Sequence, residues 1–424
     1  VNSIVAQGQS VIRVGVIGVG RGSRFARGAG DLVGMKLVAL CDTWEEKLNS
    51  VASELGVTAY TDYDKFLQHD MDAVILANYF HEHAPFAIKA LEAGKHVMSE
   101  TSACLTLAQG VALIEAVERS GKIYMFAENY PYMVYNQEMR RLYQEGAIGE
   151  FRYGEGEYVH PMRSEESLRL APGVNHWRNW IPATYYCTHS IAPVMYITDT
   201  WPKKVNGFVV PYDYQDENRQ KTTRRSDTAA MIALRMDNGA VVKSLHGGLR
   251  GHGNWVRIHG NRGLMENARW GNQQMLRVRR EPWEKPEGAP VEEIYLPDFP
   301  EHHEEALKAG HGGGDFFMNY HFANAIRTGQ QPYLDVYRGV TMSAIGVLAY
   351  RSALADSAPI DVPDFRDPVA RQAFANDHWS PNPAEAGPGQ PLPSLLGEIK
   401  ISDETLARAS QVWAEMGYHE EQRA

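Results

Sequence analysis

Residues 11–18 form a β-branched apolar run that ends in glycine, the pattern of a buried strand. Further apolar runs stand at 35–41, 73–77, 95–98 and 123–126, with helix candidates at 44–55, 84–92 and 107–119. Strands that alternate with helices predict a parallel sheet. From Phe151 the pattern changes. Strand-like runs at 151–160, 204–210, 227–236, 240–246, 255–259, 274–279 and 292–296 follow one another, mostly across turn residues. Several alternate, as a sheet with one wet face should, and few have a crossover helix between them, so this second sheet is predicted to be mainly antiparallel. Helical stretches return at 315–327 and 335–354. The segment 381–393 holds five prolines and excludes regular structure, and 402–416 has an amphipathic helix pattern. The last two pieces read as a surface strap and tail helix rather than a lid.

The first strand runs straight into Gly18-Val19-Gly20-Arg21-Gly22 and a segment that can be helical, and Asp42 closes the next apolar run. Glycines let backbone approach a pyrophosphate, a helix N-terminus favours the anion, and an acid roughly 20 residues on accepts ribose hydroxyls. The spacing is GxGxG, with Ser23 where a third glycine of GxGxxG would stand. By itself the cluster also fits a tight strand–helix turn; the strand–helix units downstream favour a dinucleotide fold. The predicted fold class is α/β, an N-terminal Rossmann dinucleotide-binding domain at 1–130 followed by a C-terminal α+β domain with a large, mainly antiparallel open sheet at 131–370. The strap and C-terminal helix occupy 371–424. Asp42 selects NAD because a carboxylate repels a 2′-phosphate, whereas Arg21 and Arg24 keep NADP as the alternative.

Composition narrows the function classes. The chain of 424 residues is 44% hydrophobic and 22% charged, which suits a soluble protein with large cores. A formal charge of −10 gives no electrostatic reason to approach nucleic acid or an anionic membrane. No apolar run reaches the roughly 18–20 residues of a membrane span. Three scattered cysteines (Cys41, Cys104 and Cys187) build neither a disulfide framework nor a cysteine zinc site. The pairs His81/His83 and His302/His303 lack a third convergent ligand, so no metal is expected. A cytoplasmic location is expected, and an exported form would need a signal upstream of Val1.

The segment Asn78-Tyr79-Phe80-His81-Glu82-His83 leads into AIKALEAGKHVMSE at 87–100, and GAIGE follows at 146–150. This combination resembles the Gfo/Idh/MocA family of sugar and cyclitol oxidoreductases. The resemblance implies that Asn78, His81, His83 and Glu100 line the nicotinamide side of the cofactor. The lysine that follows the glutamate in that family, and that is assigned to proton transfer, is here Thr101, with Ser102 in place of proline. A second set of segments, AENY at 127–130, GEY at 156–158, YCTH at 186–189 and GHGGGD at 310–315, is similar to the NAD-dependent glycoside hydrolases of the same superfamily, α-N-acetylgalactosaminidases among them. They also lack the lysine. Cys187 stands where they commonly have proline, and Gly314 where they often have methionine, so the preferred sugar is left open.

That resemblance implies Tyr158, Tyr186, His189 and His311 as catalytic residues, with Glu128 and Asn129 beside the cofactor. Tyr130, Trp177 and Arg178 are candidates to hold sugar, since indole faces pack on a pyranose while guanidinium and amide groups hold hydroxyls. A Trp-rich core is the alternative reading of 176–180. A free tyrosine has a pKa of about 10, so Tyr158 or Tyr186 needs a neighbouring cation, Arg178 or protonated His189, to act as a base at neutral pH. The implied function is an NAD-dependent glycosidase acting by transient oxidation at the sugar's C-3, elimination, water addition and re-reduction. Alternatives are an NAD(P)-dependent sugar or cyclitol dehydrogenase and a cofactor-binding regulator that has lost catalysis. The partner is a small sugar or glycoside, and a homo-oligomer is expected.

Overall fold

The computed structural model describes residues 10–25 and 30–419. Six parallel strands, β1 (Ile12–Ile17), β2 (Met35–Cys41), β3 (Thr58–Tyr60), β4 (Ala73–Leu76), β5 (His96–Ser99) and β6 (Tyr124–Phe126), lie in the order β3-β2-β1-β4-β5-β6. The order reverses between β1 and β4, and a crevice opens there beyond the carboxyl ends of the strands, where ligands bind in open α/β sheets. Helices Glu45–Leu55, His83–Glu92 and Leu107–Ser120 stand at the three expected places. A helix does follow the glycine cluster at Gly22–Arg24; the rest of that predicted segment, 26–29, lies outside the described residues, as do the ends of the first and last predicted domains. The short strand β3 was not predicted. Of its three residues one is exposed and two are half-buried, which offers no clear period.

The second sheet has nine strands: β7 (Phe151–Val159), β8 (Pro202–Val210), β9 (Ala229–Met236), β10 (Val241–Gly247), β11 (Gly253–Gly260), β12 (Gly263–Asn267), β13 (Leu276–Arg280), β14 (Glu292–Tyr295) and β15 (Ile360–Asp361). Its order is β14-β13-β12-β11-β7-β10-β9-β8-β15. Every pairing is antiparallel except β10 with β7. That parallel pair sets Ser244 beside Gly156 and His246 beside Tyr158.

The helix Thr188–Thr198 packs on this face of β7. A Cβ at Gly156 would collide with the Ser190 carbonyl, so glycine there lets the helix settle onto the sheet. Ser190 Oγ bonds Ser244 Oγ at 2.7 Å and ties the helix to β10. The long helix Val336–Leu354 covers β8 and also meets helix Leu107–Ser120 and β6 of the first sheet. One continuous apolar core therefore runs through both sheets.

The predicted strap at 381–393 lies largely at the surface, and its end is anchored. Ser394 Oγ and Leu395 N donate to Asp227 at 2.6 and 2.9 Å and pin the strap to the second domain. Helix Asp403–Glu415 then forms a separate small core of Leu168, Ala409, Val412, Trp413 and Tyr418. Tyr418 meets Trp44 edge-on at 5.6 Å, so the chain's end reaches across to the first domain.

Candidate active site

A cavity of about 890 Å³ runs from the carboxyl ends of β1 and β2 to the end of β7 and the start of helix Thr188–Thr198. Gly18 and Gly20 border its first half with Asp42, and Asn78, His83 and Glu100 follow along the wall. Gly18 has a φ of +92°, and a Cβ there would strike the Ala77 carbonyl. A Cβ on Gly20 would meet nothing within 4 Å, because that backbone faces the open cavity. Asp42 closes the turn by accepting from Val19 N and Trp44 N, each at 2.7 Å. Asn78 Oδ1 is buried without a hydrogen-bond partner. Bare glycine backbone, a carboxylate at the end of β2 and an unsatisfied amide oxygen suit a dinucleotide's pyrophosphate, ribose and carboxamide, so the wall fits NAD.

Several predicted cofactor residues are committed to holding the wall in shape. Gly22 is buried behind it, where a Cβ would press on Val16. His81 is not on the wall; its ring packs against Trp180, 5.4 Å between centroids, and burial lowers its pKa to about 4. Arg21 borders the cavity, but its guanidinium is taken by Glu100 (Nε–Oε1 2.7 Å) and Asp315 (Nη2–Oδ1 2.9 Å). An arginine neutralised by two carboxylates is a poor seat for a 2′-phosphate, which removes one of the two reasons for NADP. His83 is buried, with its ring nitrogens 2.8 Å from the Ser102 carbonyl and 3.3 Å from the Asn78 carbonyl. It joins the 78–83 turn to the segment after β5, and burial lowers its pKa to about 4.

His311 is drawn into the same network. Its Nδ1 lies 2.9 Å from Asp315 Oδ2, so Glu100, Arg21, Asp315 and His311 form one chain of contacts from the glycine loop to the 310–315 loop. Burial opposes the charge on Asp315, but His311 and Arg21 together hold its carboxyl well below the usual range. His311 remains on the cavity wall, as does Asn129.

At the far end four rings converge. His189 lies 4.6 Å from Tyr158, 4.8 Å from Tyr186 and 4.6 Å from Tyr130 between ring centroids. Its Nδ1 donates to Glu128 Oε1 at 2.7 Å, which leaves Nε2 as the nitrogen for the cavity. Glu128 is fully buried and off the wall, so it stands behind His189 rather than beside a cofactor. Burial disfavours charge on His189, but Glu128 and then Tyr186 outweigh it and raise its pKa to about 9. Burial likewise opposes ionisation of Tyr186, yet the cations His189 and Arg178 bring its pKa below the ordinary 10. Tyr158 goes the other way, pushed up by burial and by Tyr186. Of the two tyrosines, only Tyr186 has an environment that favours phenolate.

Trp177 satisfies both sequence readings. It stacks on Phe80 at 5.1 Å as a core residue while its remaining surface borders the cavity. Arg178 lies over the Trp177 ring at 4.2 Å and over Tyr186 at 5.6 Å.

Sequence reasoning missed His246 and Arg224, which also border this end. His246 donates from Nε2 to the Ala183 carbonyl, its Nδ1 is buried without a partner, and burial lowers its pKa to about 4. The alternation along 241–247 was the available signal, since it places His246 on the buried face. Among the described residues no group of three histidine, cysteine or acidic side chains is set to hold a metal, and no helix is long and apolar enough to cross a membrane.

Two protein families match different parts of the chain. Residues 12–128 match the oxidoreductase family with an NAD-binding Rossmann fold (Gfo/Idh/MocA), and residues 132–369 match the C-terminal domain of glycosyl hydrolase 109. The chain is 27% identical over 403 residues to glycosyl hydrolase family 109 protein 1 of Phocaeicola vulgatus, covering 84% of each. It is 25% identical over 404 residues to an alpha-N-acetylgalactosaminidase of Shewanella oneidensis, covering 85% of this chain and 86% of that one. Among solved structures, levoglucosan dehydrogenase in complex with NADH and levoglucosan superposes with a TM-score of 0.72 at 23% identity, over 84% of this chain and all of that one. Aldose-aldose oxidoreductase from Caulobacter crescentus does so with a TM-score of 0.67 at 20% identity, over 83% of this chain and 100% of that one. These two likenesses establish the fold. The protein is an NAD-dependent enzyme that acts on sugars, and it belongs to the glycosyl hydrolase 109 family, built on the Gfo/Idh/MocA oxidoreductase fold.

Proposed function

We propose that this enzyme cleaves a glycosidic bond by elimination and hydration, with Tyr186 as the base. The observation that carries the reading is the quartet Glu128–His189–Tyr186–Arg178, half of it buried, which lowers the pKa of one tyrosine in a site that lacks the family's lysine. When bound, NAD would supply reversible two-electron exchange at the sugar's C-3, with the C-3 hydroxyl proton passing to solvent water and back, which would acidify the C-2 proton and be undone before product leaves.

The chain's own residues would do the rest. Gly18, Gly20, Asp42 and Asn78 hold the dinucleotide, and Trp177 offers its ring to the sugar. The Tyr186 phenolate takes the C-2 proton onto Oη, and the C-1–oxygen bond breaks as the electron pair moves in. His189, kept protonated by Glu128, donates from Nε2 to the C-3 oxygen and stabilises negative charge there. Tyr158, held neutral, donates a hydrogen bond and helps to orient the ring. The aglycone oxygen takes its proton from solvent water, a second water adds its hydroxyl at C-1 and releases its proton to solvent, and Tyr186, its Oη proton exchanged with solvent, protonates C-2. The scheme needs no pair of carboxylates astride the scissile bond, the usual glycosidase arrangement. The activity in the name of the Shewanella oneidensis relative, an alpha-N-acetylgalactosaminidase, supports cleavage over simple oxidation.

A panel of aryl glycosides of both anomers tests this. Aglycone release without accumulation of NADH is the expected result. Stoichiometric NADH from free sugar and added NAD, with no aglycone released, would make the protein a dehydrogenase instead.

A further inference from the structure

The charges at the far end of the cavity do not balance. His189 faces Glu128, and Arg178 lies over the Tyr186 ring whose phenolate the proposed mechanism uses. Arg224 is left over. It enters the wall from the loop before β9, and its Nε donates to Ser167 Oγ at 3.1 Å. Among the described residues its two terminal nitrogens have no hydrogen-bond partner, and no carboxylate lies within ion-pair distance of this guanidinium. Asp227, three residues further along and also on the wall, is occupied from behind by Tyr212 N at 3.0 Å, Ser394 Oγ at 2.6 Å and Leu395 N at 2.9 Å. Asp227 also faces Arg219, whose guanidinium donates to the Ser226 and Asp227 carbonyls. His160, His176 and His246 border the same space, and burial keeps all three neutral, so none supplies an anion.

A guanidinium in a partly dry wall is costly to hold without a counter-charge, more so beside two other arginines. Burial, then Arg219 and Arg178, lower the pKa of Arg224 to about 9. Its free fork matches the paired oxygens of a carboxylate or sulfate. We infer that the sugar accepted here carries an oxyanion, a uronate carboxylate or a sulfate ester, which Arg224 receives at the end of the cavity opposite the glycine loop. The inference rests on the proposed sugar end of the site and names the substrate class within it.

Two readouts on the NAD-loaded protein test it. The first is calorimetric binding of glucuronate and galacturonate, of the corresponding hexose 6-sulfates and of the neutral hexoses. At least one anionic series is expected to bind about 10–100-fold more tightly than the neutral one, the range of charge-assisted hydrogen bonds. The tighter series identifies carboxylate or sulfate as the source. The second is aglycone release from aryl glycosides of the same three series, with kcat/KM favouring the anionic parent by a similar factor. In Arg224→Gln the anionic-to-neutral ratio is expected to collapse towards one, and Arg224→Lys to keep part of it. Neutral and anionic sugars bound equally by the wild type would overturn the inference, whether or not the variant folds. A ratio unchanged in folded, NAD-loaded Arg224→Gln would overturn it too. Preferential binding of the anions with no cleavage of any glycoside would leave the oxyanion site standing and remove the glycosidase reading.

Discussion

Glu128 Oε1 accepts a hydrogen bond from His189 Nδ1 at 2.7 Å, which joins the end of β6 in the first sheet to the first turn of the helix on the second. The pair reports on stability and chemistry together. His189 has a folded pKa of about 9 against 6.5 for a free imidazole. Its stabilising contribution is therefore complete below about pH 6.5 and is lost as pH rises through about 9. Thermal stability measured across this window is expected to decline with pH, and Glu128→Gln to flatten that part of the curve. Activity should fall on the alkaline side as His189 loses its proton, at lower pH in Glu128→Gln than in the wild type. The other charged or titratable neighbours, Tyr186, Glu100 and His246, act on both forms and shift the midpoint without reversing the sign.

Tyr186 and Tyr158 differ by environment alone, so parallel substitutions separate them. Tyr186→Phe is expected to cost about 10²–10⁴-fold in turnover and in exchange of the sugar's C-2 proton with solvent, the usual scale of general-base catalysis. Tyr158→Phe should cost less and keep the acid limb of the pH–rate profile. Proton exchange lost in Tyr158→Phe and kept in Tyr186→Phe would reverse the assignment.

The glycine loop offers a contrast between folding and binding. A methyl at Gly20 enters open space, so Gly20→Ala should melt within a few degrees of the wild type while losing NAD affinity about tenfold or more, since the backbone must approach the pyrophosphate closely. Gly18→Ala meets the Ala77 carbonyl at a φ of +92° and should lose stability as well. Melting and NAD titration of both variants check this.

How much of this could be read from the chain depends on the range of the interactions. Buried strands such as Ala73–Leu76 and the long strand Phe151–Val159 announce themselves through local pattern. Gly263–Asn267 does not, because a run of Gly, Leu, Met, Glu and Asn has neither alternation nor β-branching. The Tyr/His cluster was readable as a motif, but the placement of Glu128 behind His189, 61 residues away, depends on how the two domains meet. His246 adjoins Tyr158 only because β10 pairs in parallel with β7 while β8 and β9 lie to its other side. Arg224 sits in KTTRRSDT, which reads as an ordinary polar loop; its isolation from carboxylates is a property of the assembled wall.

The C-terminal helix carries a prediction of its own. Met416 and Tyr418 border the cavity next to Trp44, two residues after Asp42. A chain ending at residue 400 should release NAD faster than the full chain, because it loses this wall. Trp413→Ala removes a buried indole at a cost of about 3–5 kcal/mol to the tail's small core and should act in the same direction. Stopped-flow NAD fluorescence reads both. An unchanged release rate would confine the tail to a structural role.

In the proposed mechanism, carbon acidity at C-2, created at C-3 and used by Tyr186, breaks the glycosidic bond. It is tested most directly by running aglycone release in deuterated water and examining the product sugar by NMR. Deuterium at C-2 of the released sugar with no net NADH is the expected result. Aglycone release that leaves C-2 fully protonated would contradict it.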